Sequence, residues 1–114
     1  MYEYSAKCIR VIDGDTIDCE IDLGFDISIR ERVRLAGINA PESRTRDLVE
    51  KSQGLAAKAR VKEIMEENER FVLQTEYDKT GMYGRVIGTI VLFNGESLND
   101  MLVSEGHAVK KDYS

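Results

Sequence analysis

The sequence predicts a mainly β fold with helices, built as a five-stranded barrel. Three observations carry that prediction. The run TIDCEID, residues 16–22, alternates apolar and polar side chains. Asp13-Gly14 and Asn94-Gly95 end apolar runs with turn chemistry. Two later segments carry helical spacing in place of alternation.

Tyr4 to Ile12 reads as the first strand. With Asp13-Gly14 as a two-residue turn, Ile12 pairs with Asp15, and counting back sets Cys8 opposite Cys19. In the second strand Ile17, Cys19 and Ile21 share one face, and Asp18, Glu20 and Asp22 the other. The third, ISIRERVRLAGI, puts Ile27, Ile29, Glu31, Val33 and Leu35 on one face and Arg30, Arg32, Arg34 and Ala36 on the other. Pro41, the single proline, cannot donate to a ladder and ends this strand. ESRTRDLVEKSQG is polar and expected as an exposed loop. From about Gly54, LAAKARVKEIMEEN has helical spacing, with Leu55, Ala59 and Ile64 together and Ala56 and Met65 nearby. RFVLQTEY and RVIGTIVLF are the fourth and fifth strands, joined by the turn-rich DKTGMYG. SLNDMLVSEG is a short helix with Ser97 as N-cap, Leu98, Met101 and Leu102 toward the core, and Gly106 as its stop. Five strands, with one helix between the third and fourth and a short helix after the fifth, are the arrangement of an OB-type barrel. The pattern alone leaves other packings of these elements open.

The 114 residues suit one domain, 1–114, with one core. With 42% hydrophobic and 32% charged residues, the balance is that of a globular domain. No apolar run approaches the roughly 20 residues that span a bilayer, so no membrane partner is expected. The start, MYEYSAKCIRVIDGD, lacks a basic region followed by an apolar one, so no signal peptide is expected. That suits a cytoplasmic chain or the mature part of a secreted protein. The net charge of −5 speaks against polyanion binding, but it is uneven. Ser28 to Arg46 holds five arginines against two glutamates, whereas Lys62 to Asp78 holds two basic and six acidic residues. Two cysteines and one histidine, His107, give no zinc-site spacing. A Cys8–Cys19 disulfide is geometrically conceivable, and paired thiols suit a reducing compartment better.

Oxygen-bearing and guanidinium groups gather at two places. Asp15, Asn39, the carbonyl of Ala40 and Glu42 form a partial set for a hard cation, provided the first hairpin meets the end of the third strand. Arg34 stands near that corner and Arg85 opens the fifth strand. A guanidinium holds two phosphate oxygens at once, and two of them can stabilise the charge of a phosphorane-like transition state. Tyr83 offers a hydroxyl to a phosphate or a ring to a base. Taken singly, each group is an ordinary turn, cap or surface residue.

Together, VIDGDT, RLAGINAPE and YGR, in that order and at these separations, resemble the staphylococcal nuclease (thermonuclease) family. The resemblance runs from about Cys8 to about Lys110. It implies an SNase-like OB-fold and a Ca²⁺-dependent phosphodiesterase, an endonuclease on DNA and RNA. In such enzymes water attacks phosphorus in line and the 5′-oxygen leaves, so that 3′-phosphate ends remain. Carried over by motif, Arg34, Glu42 and Arg85 match the catalytic residues, with Glu42 activating or positioning the water. Asp15, Asn39 and the Ala40 carbonyl match the metal ligands. Tyr83 matches a phosphate-binding tyrosine. Arg44, Arg46 and Lys51 lie where a polyanion approaches, and Tyr113 lies near the family's substrate-stacking tyrosines. Single-stranded DNA or RNA is the implied partner.

Asn39 departs from the family pattern, which usually has aspartate there. An amide keeps one ligating oxygen and loses a charge, so weaker Ca²⁺ binding or another metal preference is expected. MYG lacks the basic residue often found before YG. Family members commonly continue into a third helix beyond the position of Ser114, and self-association is one way to complete the packing here. The alternative to a nuclease is a metal-impaired barrel that grips single-stranded nucleic acid without cutting it.

Overall fold

Alternation along the strands builds the wall of a closed barrel. The protein is described by a computed structural model over residues 2–76 and 85–111, with Arg85 described by its backbone alone. In chain order the strands are β1 (Tyr2–Asp13), β2 (Thr16–Gly24), β3 (Ile27–Leu35), β4 (Ile38–Asn39), β5 (Phe71–Glu76), β6 (Arg85–Val91) and β7 (Val109–Lys110). The helices are α1 (Leu48–Glu67) and α2 (Leu98–Ser104). Five strands close in the order β1-β2-β3-β6-β5, and β4 pairs separately with β7. The β3–β6 contact is parallel and the others are antiparallel. This is the OB-type barrel predicted from the element order, with α1 between the third and fourth barrel strands.

The core is the inward face of that wall, closed by helices. Ile17, Cys19, Val33, Leu35, Phe71, Leu73 and Ile90 are fully buried, as are Val61 of α1 and Leu98 and Leu102 of α2. Each large side chain removed from water contributes about 1.5–3 kcal/mol before the entropy of ordering is set against it. The expected inner face of β2 is therefore correct, and so is α2, whose N-cap Ser97 accepts from the Asp100 N–H at 3.2 Å.

The first turn differs from expectation by one residue. Asp13 pairs with Thr16, so Gly14-Asp15 form the turn and Ile12 does not face Asp15. Cys8 nevertheless faces Cys19, because β1 spends an extra residue between Cys8 and Arg10 and another between Val11 and Asp13. Both thiols are free. The third strand ends at Leu35, before a turn at Ala36-Gly37, and Pro41 instead follows the short β4. Ile27 and Ile29 share a strand face with Val33 but are exposed, because β6 joins β3 only from Arg32 onward.

The largest correction concerns α1. Half of the expected loop is helix, which begins at Leu48 and includes Lys51. Asp47 caps it, its Oδ1 accepting from the N–H groups of Val49 at 3.0 Å and Glu50 at 3.2 Å. Its buried residues are Gly54, Ala57, Val61, Ile64 and Met65, whereas Leu55, Ala56 and Ala59 face outward. Close approach explains the choice of small residues. A Cβ on Gly54 would stand 2.4 Å from the carbonyl oxygen of Glu42. One on Gly14 would stand 2.7 Å from the Cβ of Ala57. The β1–β2 turn and the Glu42 segment are thus both pressed onto α1. No helix among the described residues is long and apolar enough to cross a membrane.

Candidate active site

The hairpin turn, the end of β3 and the β4 corner meet at Asp15. The carboxylate is buried, with 7% of the residue exposed. Its Oδ2 accepts from the Ala40 N–H at 2.8 Å, and its Oδ1 accepts from the Thr16 hydroxyl at 2.9 Å. Its backbone carbonyl accepts from the Leu35 N–H at 2.8 Å. These bonds join the hairpin to the end of β3 and to the segment before Pro41, as the sequence requires for a shared site.

Arg34 fills the centre of this junction. Its Nη2 lies 3.3 Å from Asp15 Oδ2 and donates to Asn39 Oδ1 at 3.0 Å. Its Nη1 donates to the carbonyls of Asp15 at 3.3 Å and Leu35 at 3.2 Å. Only 12% of the Arg34 side chain is exposed. An ion pair this buried is tolerated because charge and hydrogen bonds are satisfied together.

Glu42 lies just past this centre. Its side chain is exposed and its carboxylate has no hydrogen-bond partner among the described residues. Its backbone is anchored mainly through its neighbour. The Glu42 N–H donates to Glu50 Oε1 at 3.4 Å, and the next residue, Ser43, is buried. Ser43 donates to Asp13 Oδ1 through its N–H at 3.3 Å and also through its hydroxyl. Asp13, Ser43 and Glu50 were not singled out by sequence reasoning as site residues. Asp47 and Glu50 carry the spacing of a capping box, which signals the helix start; here the glutamate reaches the Glu42 N–H. Ser43 carries no such signal.

The remaining predicted residues fall into three groups. Arg44 and Arg46 are exposed between Glu42 and α1, and Lys51 is exposed on α1. Arg85 begins β6 opposite Arg32, one side-chain repeat from Arg34 along β3. Tyr83 and Tyr113 lie outside the described residues.

The donors suit a hard cation in kind. Asp15, Asn39 and the Ala40 carbonyl are oxygen donors, and Asp15 Oδ2 and Asn39 Oδ1 already converge on one cationic nitrogen. Asp15 is the one carboxylate in that set. Among the described residues no three His, Cys, Asp or Glu side chains gather into a metal-binding group.

A closed five-stranded barrel of this order, with a helix between its third and fourth strands, is an OB-type fold. The family model described as staphylococcal nuclease homologue matches residues 32–114, and the chain belongs to that family. It is 36% identical over 104 residues to Thermonuclease of Staphylococcus intermedius, covering 91% of this chain and 58% of that protein. It is 30% identical over 114 residues to Micrococcal nuclease of Shigella flexneri, covering 93% and 58% respectively. It is 38% identical over 88 residues to Protein ParB of Escherichia coli, covering 77% and 42%. The chain thus spans about half the length of these relatives.

Proposed function

We propose that this chain, acting as one domain over residues 1–114, is a Ca²⁺-dependent endonuclease that hydrolyses single-stranded DNA or RNA. The observation that carries the reading is the shared corner. A largely enclosed Arg34 and an exposed Glu42, whose carboxylate has no hydrogen-bond partner among the described residues, stand on either side of Asn39-Ala40-Pro41. Family membership and the names of the relatives support it.

In this reading Asp15, Asn39 and the Ala40 carbonyl hold the cation. When bound, it supplies Lewis acidity toward a phosphoryl oxygen and helps to organise water. Glu42 takes the proton of the attacking water, or orients it, from the solvent side. Water adds in line at phosphorus, the bond to the 5′-oxygen breaks, that oxygen takes a proton from solvent while Glu42 returns one to solvent, and the phosphate stays on the 3′-oxygen of the other fragment. Arg34 and Arg85 complement the negative charge that grows on the equatorial oxygens. Tyr83 contacts a substrate phosphate, Arg44, Arg46 and Lys51 draw in the polyanion, and Tyr113 stacks on substrate.

The test is cleavage of a fluorescent single-stranded DNA with EDTA, Ca²⁺, Mg²⁺ or Mn²⁺. Cutting that needs Ca²⁺ and falls in Glu42→Gln is the expected result. A second reading, binding without cleavage, is favoured by Arg34, whose guanidinium is already engaged by Asp15 and Asn39. Salt-sensitive binding with no cutting in any metal would select it. Self-association is part of this proposal, and the exposed Leu23, Phe25 and Ile27 of the β2–β3 hairpin support it. A monomer in sedimentation equilibrium removes that part.

A further inference from the structure

A groove of about 510 Å³ lies beside the corner, between α1 and the chain that follows α2. Asn39 and Pro41 line it from β4 and the residues after it, α1 contributes Glu50, Gln53 and Ala56, and His107 comes from the chain after α2. Asn39 belongs to both places, since its Oδ1 accepts from Arg34. The volume is in the range of small-molecule sites, about 300–1,000 Å³.

The lining selects what can enter. Glu50 lines the groove and, among the described residues, no lysine or arginine does, so a phosphate is repelled. The Glu50 carboxylate accepts from N–H groups. The Asn39 Nδ2, the Gln53 amide and the His107 ring make no hydrogen bond among the described residues, and they present donors and acceptors together. Pro41 and Ala56 add apolar surface for the flat face of a ring. Polar edges, an apolar face and exclusion of anions are the requirements of a base, not of the backbone that carries it. We propose that this groove receives the nucleobase adjoining the phosphate held at Arg34. The inference rests on the nucleic-acid reading above, and it adds a subsite to it.

The test follows backbone and side-chain amide signals of ¹⁵N-labelled Glu42→Gln protein in Ca²⁺, so that the strand survives. A short single-stranded oligonucleotide is compared with the same strand made abasic. Shifts at the Gln53 amide, Ala56 and His107 that vanish with the abasic strand are expected. Gln53→Ala combined with His107→Ala should then weaken binding of the base-bearing strand at least about fivefold and leave the abasic strand unaffected. Shifts confined to Arg34, Asn39 and the substituted position 42, with unchanged affinity in the double variant, overturn the groove and leave nucleic-acid binding standing. Equal shifts in the groove from both strands assign it to sugar or phosphate and overturn the base. No shift anywhere, with either strand, overturns both readings.

Discussion

Arg34 sits where two demands meet. It neutralises the buried Asp15 carboxylate, and it is the guanidinium that β3 delivers to the corner bearing Glu42. Arg34→Ala is expected to lower turnover by about 3 kcal/mol, on the order of 100-fold, as for loss of one charged donor to a transition state. Steady-state cleavage kinetics measure it, and unchanged turnover removes the mechanism. Stability should fall as well, because Asp15 keeps its burial and loses its cation. Asn39 sets the opposite experiment. Asn39→Asp adds a second negative charge at an oxygen that already faces a cation, and it should raise Ca²⁺ affinity on the order of tenfold. Calorimetric titration reads this directly, and equal affinity in both proteins would remove Asn39 from the ligand set.

At the scale of elements, α1 is the support of the candidate site. Alanine normally stabilises a helix interior over glycine by about 1 kcal/mol. At position 54 the added Cβ would stand 2.4 Å from the Glu42 carbonyl, against backbone that cannot swing aside. Gly54→Ala should therefore destabilise, by about 1–3 kcal/mol, and displace Glu42 enough to depress cleavage. Urea unfolding and cleavage rates check both effects; a gain in stability contradicts the close contact. The β1–β2 pair carries a pH signature. Burial, more than the neighbouring Asp18 charge, pushes the Cys8 thiol up to about 11 from an ordinary 9.0, with a backbone hydrogen bond from Arg10 opposing. Burial pushes Cys19 higher still. Both groups favour the fold as neutral thiols. Their contribution is whole below about pH 9 and declines from there through about pH 11 and above, as the unfolded chain ionises first. Replacing both cysteines with alanine should flatten that alkaline decline in a series of thermal melts.

At the scale of the whole molecule, one polar residue ties distant parts together. Asn99 of α2 is 4% exposed. Its Oδ1 accepts from the Ile90 N–H at 3.2 Å, and its Nδ2 donates to the carbonyls of Ala36 at 2.9 Å and Gly88 at 3.3 Å. It joins α2 to β6 and to the turn after β3, which leads directly to Asn39. Asn99→Leu keeps the volume but takes this partner from the Ile90 N–H and the Ala36 carbonyl, and should cost about 3 kcal/mol. Chemical denaturation measures this, and a neutral result would show that the groups find other partners.

The sequence by itself determined the order of the five barrel strands and the two helices, though not the short β4 and β7, together with the inner face of β2, the cap and core residues of α2, and the kinship carried by VIDGDT, RLAGINAPE and YGR. These are local or periodic properties, expressed within a few residues of chain. It brought Asp15, Arg34 and Asn39 forward through those motifs, while their meeting depended on the first hairpin reaching the end of the third strand, which the tertiary structure supplied. The start of α1 was legible in Asp47 and Glu50, but the polar composition around them concealed it. Only the tertiary structure decided the two extra residues in β1, the inward face of α1, the clasp of Asp13 on Ser43 and the ties of Asn99. Each of these depends on which backbone approaches which across the barrel. Contact between segments separated by tens of residues leaves no period in the sequence, and so packing, not propensity, placed the Glu42 segment against α1.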